Sequence, residues 1–133
     1  MESDTEPASP GATAVIKVVG PCKSGKSTLV AGLRAAGYAA RSCGQEHSET
    51  PTMWQRIAPA DCLIFLDVTP ETQRARVNRS DWSEELMRIQ QRRLAHARQH
   101  ASLVVSTDHA TPAEVLRQVI GFLAARGLPP AGG

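Results

Sequence analysis

A glycine-rich segment near the start of the chain has the residue types and spacing to bind phosphate. It reads Gly20-Pro-Cys-Lys-Ser-Gly25-Lys26-Ser27-Thr28 and fits the pattern G-x-x-x-x-G-K-[ST]. A phosphate chain needs several converging backbone N–H donors, and a turn with glycine at its bends lets the backbone wrap closely around it. The N-terminus of a following helix adds free N–H groups and partial positive charge. The segment is therefore predicted to bind the phosphates of a nucleotide.

Individual residues of this segment have separate predicted roles. Gly20 lets the chain turn sharply out of a strand, and Gly25 lets the backbone approach the phosphates. Lys26 is predicted to bridge the β- and γ-phosphates as a catalytic cation, and the Ser27 hydroxyl to be a Mg²⁺ ligand. A guanine-reading N-K-x-D motif is absent from the last predicted strand end, so ATP is favoured over GTP. The predicted nucleotide-binding residues of the segment are Gly20, Lys23, Ser24, Gly25, Lys26, Ser27 and Thr28.

Two carboxylates could direct the metal ion. Glu46 lies in Gly44-Gln-Glu-His-Ser48, directly after the second predicted strand, and parallel sheets place ligands at the carboxyl ends of their strands. There Glu46 could hold Mg²⁺ through water or act as the catalytic base towards an attacking hydroxyl, with His47 assisting. The alternative is a helix-capping Glu46 and a surface His47. Asp67 closes an apolar run and is the second candidate for the metal.

Apolar runs and capping signals predict the elements that position these groups. Strands are predicted at residues 14–19, 38–43, 62–67 and 103–105. Helices are predicted at about 25–36, 50–57, 69–79, 81–100 and 111–126, the fourth capped by Asp81 and the last by a Thr111–Glu114 capping box. This alternation predicts an α/β protein, a three-layer α/β/α sandwich with a parallel sheet of about four strands.

Length and composition predict one globular domain. The chain has 133 residues, of which 41% are hydrophobic and 21% charged. Residues 1–12 and 128–133 are predicted to be loose tails around a nucleotide-binding domain at 13–127. The net charge of +2 is too small for a dedicated nucleic-acid binder. The acidic start and the absence of a long apolar run predict a cytoplasmic protein without a membrane partner.

The strand, glycine-rich segment and helix resemble the P-loop NTPase superfamily. The second half is similar to the small metabolite and nucleotide kinases, shikimate kinase among them, through the run Leu63-Ile-Phe-Leu-Asp-Val-Thr-Pro-Glu71, the later arginines and the run Ala101-Ser-Leu-Val-Val-Ser-Thr-Asp108. The resemblance implies that Arg76 stacks on adenine and that Arg93 contacts the acceptor or the transferring phosphoryl group. It also implies that the loop containing Thr107, Asp108 and His109 packs against the base.

The acceptor cannot be carried over from this resemblance. The acidic pair and the Gly-Gly-x-x-Arg motif with which shikimate kinase holds its acceptor are missing, and only eighteen residues separate Cys43 from Cys62. The predicted function is a small kinase that transfers the γ-phosphate of ATP to a hydroxyl of an unidentified small metabolite or nucleotide. One alternative is an ATPase or nucleotide-dependent switch that acts on a protein partner. Another is phosphorylation of nucleic-acid ends, with the Arg-rich helix on the phosphate backbone.

Overall fold

The computed structural model describes residues 15–21, 23–50, 52–56, 61–77 and 83–128, without the side chains of residues 47, 54, 56, 77 and 84. The predictions for the tail at 1–12 and for most of the tail at 128–133 lie outside these residues. Leu128, the first residue of the predicted C-terminal tail, packs against the core, and its carbonyl accepts a 3.0 Å hydrogen bond from the Tyr38 hydroxyl.

Within the described residues, four strands form one sheet, and all of them are parallel, as the sequence predicts. The strands are Val15–Val19 (β1), Ala39–Ser42 (β2), Cys62–Asp67 (β3) and Leu103–Ser106 (β4), in the order β2-β1-β3-β4. The chain leaves β1 towards one edge of the sheet to form β2 and then returns to the other side of β1 to form β3. Such a reversal opens a crevice between the carboxyl ends of two neighbouring strands. Here the crevice lies between β1 and β3.

Helices alternate with the strands. They are Lys26–Ala35 (α1), Met53–Arg56 (α2), Pro70–Val77 (α3), Glu84–His100 (α4) and Pro112–Ala125 (α5), with a 3₁₀ helix at Gln45–His47. The predicted capping box of α5 is present, since Thr111 and Glu114 exchange side-chain-to-backbone hydrogen bonds. The prediction for α4 was wrong by two residues: Ser83, not Asp81, is its N-cap, and the Ser83 hydroxyl accepts a hydrogen bond from the backbone N–H of Leu86.

The two faces of the sheet have different coverings. Helices α1 and α5 pack on one face over a large apolar cluster that includes Ile16, Val18 and Leu33. Helix α4 packs on the other face over a smaller cluster that includes Val19 and Leu94. Successive side chains of a strand point to opposite faces, so β1 contributes to both clusters. These three layers form the predicted α/β/α arrangement.

Polar side chains are buried on the α4 face. Lys17 lies between Ile16 and Val18 in β1 and therefore points towards α4, where only 2% of its surface is exposed. Burial lowers the pKa of Lys17 and raises the pKa of the nearby Cys43 thiol. Gln73 of α3 and Gln90 of α4 are also buried and hydrogen-bond to each other at 3.5 Å.

None of the helices in the described ranges is long and apolar enough to cross a bilayer.

Candidate functional site

The glycine-rich segment, residues 20–28, is called the phosphate loop below. Its described residues up to Gly25 connect β1 to α1, and residues 26–28 begin α1. A Cβ at Gly20 would lie 2.5 Å from the Leu66 carbonyl oxygen and 2.8 Å from Ser24 Oγ, so no larger residue fits. Gly25 is the N-cap of α1 at φ +100°, and a Cβ there would meet nothing within 4 Å. The loop thus presses against β3 at its start and leaves open space at the tip of the helix.

Lys26 lies in the first turn of α1 and folds back over the phosphate loop. Its Nζ donates hydrogen bonds to the carbonyl oxygens of Gly20 at 2.8 Å and Pro21 at 3.0 Å. The same ammonium forms an ion pair with Glu46 Oε2 at 2.7 Å, and the two side chains are only 12% and 5% exposed. The carboxylate predicted to direct the metal ion and the lysine predicted to bind phosphate are therefore in direct contact.

A cavity of about 370 Å³ opens on the α1 and α5 side of the phosphate loop. Six residues predicted to bind the nucleotide line it: Lys23, Ser24, Gly25, Thr28, Arg76 and Thr107. Leu29, Leu66 and Val115 add apolar surface. This first cavity has the mixture of apolar wall and few polar groups that is typical of small-molecule sites.

Ser24 and the N-terminus of α1 carry hydrogen-bond donors of the kind that bind an anion. Ser24 Oγ is buried and makes no hydrogen bond within the described part of the chain, so it has a donor to offer to an oxygen atom. The N-terminus of α1 follows immediately and supplies backbone N–H groups and positive potential. The Ser27 hydroxyl is on the exposed first turn of this helix, next to Lys26. These groups match the donors that a phosphate chain and its metal ion require.

Arg76 joins the two loops that border the first cavity. Its guanidinium donates to the Lys23 carbonyl at 2.7 Å, to Thr107 Oγ1 at 3.3 Å and to the Thr107 carbonyl. The resemblance to kinases implies a base-stacking role, and the structure does place Arg76 in the cavity wall. In addition, these three hydrogen bonds hold the phosphate loop and the loop after β4 together, a role that the sequence did not indicate.

Thr107 is the residue of the predicted base loop that lines the first cavity. Asp108 instead accepts hydrogen bonds from the Thr69 backbone N–H at 3.0 Å and from the Thr69 hydroxyl at 3.3 Å. The Thr69 N–H is the main cause of the lowered pKa of Asp108. His109 is exposed and lines a separate surface depression with Glu114. The loop is thus fixed by Asp108, and Thr107 is presented to the cavity.

Arg93 contacts the segment that contains Glu46. Its guanidinium donates to the Glu46 carbonyl at 3.3 Å and forms an ion pair with Glu49 at 2.7 Å. That ion pair lowers the pKa of Glu49. Gln45 Nε2 donates in turn to the carbonyls of Arg93 and Thr50. The resemblance to kinases implies that Arg93 contacts the acceptor or phosphoryl group; in the structure Arg93 holds the 3₁₀ helix that contains Glu46.

Asp67 lies at the end of β3 and pairs with Arg98 of α4, Oδ2 to guanidinium nitrogen, at 3.3 Å. Both residues line a second cavity of about 310 Å³ on the α4 side of the sheet, together with Pro21 and Phe65. Arg98 was not predicted as a site residue, because nothing in the local sequence separates it from the other arginines of its helix. Of the two acids predicted for the metal ion, Glu46 is the one beside Lys26.

Mg²⁺ needs few protein ligands, because it retains several waters and binds one or two carboxylates together with the substrate phosphates. The Ser27 hydroxyl and the Glu46 carboxylate are oxygen ligands of the type that Mg²⁺ prefers, and both lie near Lys26. Within the described ranges there is no cluster of three or more His, Cys, Asp or Glu that could hold a metal ion by itself.

The chain was also compared with protein-family models and with curated proteins, and neither comparison gives a match.

Proposed function

We propose that the chain is a P-loop NTPase-type protein that binds ATP with Mg²⁺ and transfers the γ-phosphate to a small acceptor. The observation that carries this proposal is the position of Lys26 in the phosphate loop, 2.7 Å from the buried Glu46. A loop with the required glycines, a lysine and an acid at the crevice between β1 and β3 matches the needs of phosphoryl transfer, which are positioning and positive charge.

The first cavity and the phosphate loop suggest how ATP would be held. The base of ATP occupies the first cavity, against the wall that Arg76 and Thr107 form together, and its phosphates follow the phosphate loop to Lys26. Phosphate oxygens replace one or more of the carbonyl and carboxylate partners of Lys26 Nζ. Ser27 would hold Mg²⁺ directly and Glu46 would hold it through a water molecule, and the ion would supply further positive charge to the phosphates.

In this proposal, Glu46 accepts the acceptor's proton. The hydroxyl oxygen of the acceptor bonds to the γ-phosphorus, and the bond between that phosphorus and the bridging oxygen of ADP breaks. The hydroxyl proton passes to the Glu46 carboxylate and from there to solvent. Arg93 serves as a positioning residue, since its hydrogen bond to the Glu46 carbonyl fixes the 3₁₀ helix.

A second candidate is an ATPase or switch that hydrolyses ATP without a small acceptor. The short connection between β2 and β3 favours it, because a 3₁₀ helix and the four-residue α2 offer little surface for binding an acceptor. The two functions differ in product. A kinase yields ADP and a phosphorylated acceptor, whereas the alternative yields ADP and inorganic phosphate.

Isothermal titration calorimetry with ATP and Mg²⁺ tests the proposal, with Lys26→Ala as the main variant. We expect at least a tenfold loss of affinity, since a hydrogen bond to a charged group contributes roughly 1.5–3 kcal/mol, and turnover should disappear. Arg41→Ala is the matched control, because it removes an exposed cation outside both cavities. Absence of magnesium-dependent heat with the wild-type protein, or equal affinity and turnover for wild type and Lys26→Ala, would refute the proposal.

A further inference from the structure

Two histidines lie one turn apart at the C-terminal end of α4. His96 and His100 are four residues apart, and His100 is the last residue of the helix. Residues at that spacing are neighbours on one face of a helix. The two rings stack on each other, with centroids 4.2 Å apart and an angle of 29° between the ring planes. Neither histidine lines the first or the second cavity, so the pair is separate from the proposed nucleotide site.

A hydrogen bond determines which nitrogen of His100 carries the proton. His100 Nδ1 lies 2.9 Å from the backbone carbonyl oxygen of His96. A carbonyl oxygen can only accept a hydrogen bond, so Nδ1 is the donor, and in the neutral ring the lone pair is on Nε2. Metal-binding histidines almost always donate their other N–H to a carboxylate, a backbone carbonyl or water. His100 makes a hydrogen bond of this kind, and its tautomer is the one that binds a metal through Nε2.

The separation of the rings suits two nitrogen atoms on one metal ion. Zn²⁺ binds histidine nitrogen at about 2.0–2.1 Å with tetrahedral geometry, so two nitrogens on the same ion are about 3.3 Å apart. With centroids at 4.2 Å, the rings need only a small tilt towards each other to reach that distance. His100 is exposed and His96 is half-buried, so water has access to the pair.

The surroundings of the pair favour an ion with few protein ligands. The C-terminal end of a helix carries partial negative charge, which attracts a cation. One turn before His96 on the same face lies Arg92, which is not a metal ligand, so water must complete the coordination. Imidazole suits Zn²⁺ and Cu²⁺, whereas carboxylate, carbonyl and water oxygens suit Mg²⁺. Hence the Mg²⁺ that accompanies ATP would not compete for this pair.

We propose that His96 and His100 form a binding site for one Zn²⁺ ion, which each ring binds through its Nε2 atom and whose other ligands are water. Two histidines at this spacing on a helix are an established arrangement for binding Zn²⁺. Because the two ligands are on consecutive turns, a bound ion holds the last turn of α4 in its helical conformation. The site is independent of the proposed kinase function.

NMR of the protein labelled with ¹⁵N in its histidine rings tests the proposal, with Zn²⁺ alone as the probe. The titration is done at about pH 8, where an ordinary imidazole is neutral. Zn²⁺ should shift the Nε2 resonances of His96 and His100 and saturate them at one ion per chain. The resonances of His109, an exposed histidine outside α4, should not change. Ring nitrogens are the readout because cysteine thiolates also bind Zn²⁺.

Calorimetric titration of Zn²⁺ into variants measures the contribution of each ligand. Loss of a hydrogen-bond partner of a metal ligand already costs about 10–100-fold in metal affinity, so His100→Ala should lower the Zn²⁺ affinity at least about tenfold. His96→Ala should have the same effect. His109→Ala is the matched control and should bind Zn²⁺ as the wild type does.

Unchanged Nε2 resonances of His96 and His100 would overturn the proposal, as would equal Zn²⁺ affinity for the wild type and His100→Ala. Either result leaves the proposal for ATP intact, because the pair lies outside both cavities.

Discussion

The two faces of the sheet bury different kinds of residue. Among the described residues, the cluster beneath α1 and α5 has fourteen buried apolar residues, whereas the cluster beneath α4 has six. The α4 face also buries Lys17, Gln45 and Glu46. Because this face buries fewer apolar residues, the hydrophobic effect stabilises it less than the other face. The comparison indicates that the α1 and α5 face supplies more of the apolar core, whereas the α4 face buries more of the charged and polar groups.

The largest effect should come from the apolar face. Leu33 is fully buried in α1, and Leu33→Ala should lower the free energy of unfolding by about 2–5 kcal/mol, through lost burial and a cavity. Urea unfolding measures the loss. Val104→Ala is the control, because Val104 is 41% exposed and such surface changes stay within about 0.5 kcal/mol. Leu33 does not line the first cavity, so ATP turnover per folded Leu33→Ala molecule should equal that of the wild type; reduced turnover would contradict a purely structural role for Leu33.

The next effect should come from the polar face. Glu46→Gln keeps the shape of the side chain but removes the charge beside Lys26, so ATP turnover should fall about a hundredfold, as expected for loss of a general base. A coupled assay for ADP measures it. Glu85→Gln, on the exposed surface of α4, is the control and should leave turnover unchanged. Full turnover by Glu46→Gln would mean that the polar face does not contain the catalytic base.

The smallest effect concerns Asp108 in the loop after β4, next to the first cavity. The Thr69 N–H lowers the pKa of Asp108 below its ordinary value of 3.8, so the unfolded chain binds this proton more readily than the folded chain does. Asp108 therefore stabilises the fold above that value and loses its contribution as pH falls through the lowered pKa. Asp108→Asn should lower the free energy of unfolding by only roughly 0.5 kcal/mol at neutral pH, because solvent weakens a charge interaction at the surface.

Urea unfolding at several pH values checks this prediction. The difference between wild type and Asp108→Asn should be constant near neutrality and shrink below about pH 5. Thr107 should remain in place, so ATP affinity should change by less than a factor of about two. A difference that grows on acidification would contradict the assigned pairing of Asp108 with Thr69.

The sequence predicted the parts of the molecule that depend on local pattern. The parallel strands followed from apolar runs, and the α5 capping box from Thr111 and Glu114. The turn between β1 and α1 was predicted from the spacing of its glycines, and the structure brings Lys23, Ser24, Gly25 and Thr28 to one cavity; that this loop binds phosphate stays a prediction. In each case neighbouring residues determine the feature, so no knowledge of distant contacts is needed.

Contacts between distant residues could not be predicted in the same way. Arg93 pairs with Glu49 across 44 positions and Arg98 with Asp67 across 31. Whether an arginine on α4 faces Glu46, Asp67 or solvent depends on the rotation of the helix about its axis, and several arginines compete for each place. Hence the sequence identified an arginine-rich helix but did not predict the partner of either arginine.

The partners of Lys26 bear on how the molecule is made. Its ammonium is neutralised by Glu46 and solvated by the carbonyls of Gly20 and Pro21, all from the same chain. An isolated ammonium in so enclosed a position would oppose folding. Because the chain supplies its own counter-charge, a newly synthesised molecule can reach its native shape before it meets any ligand.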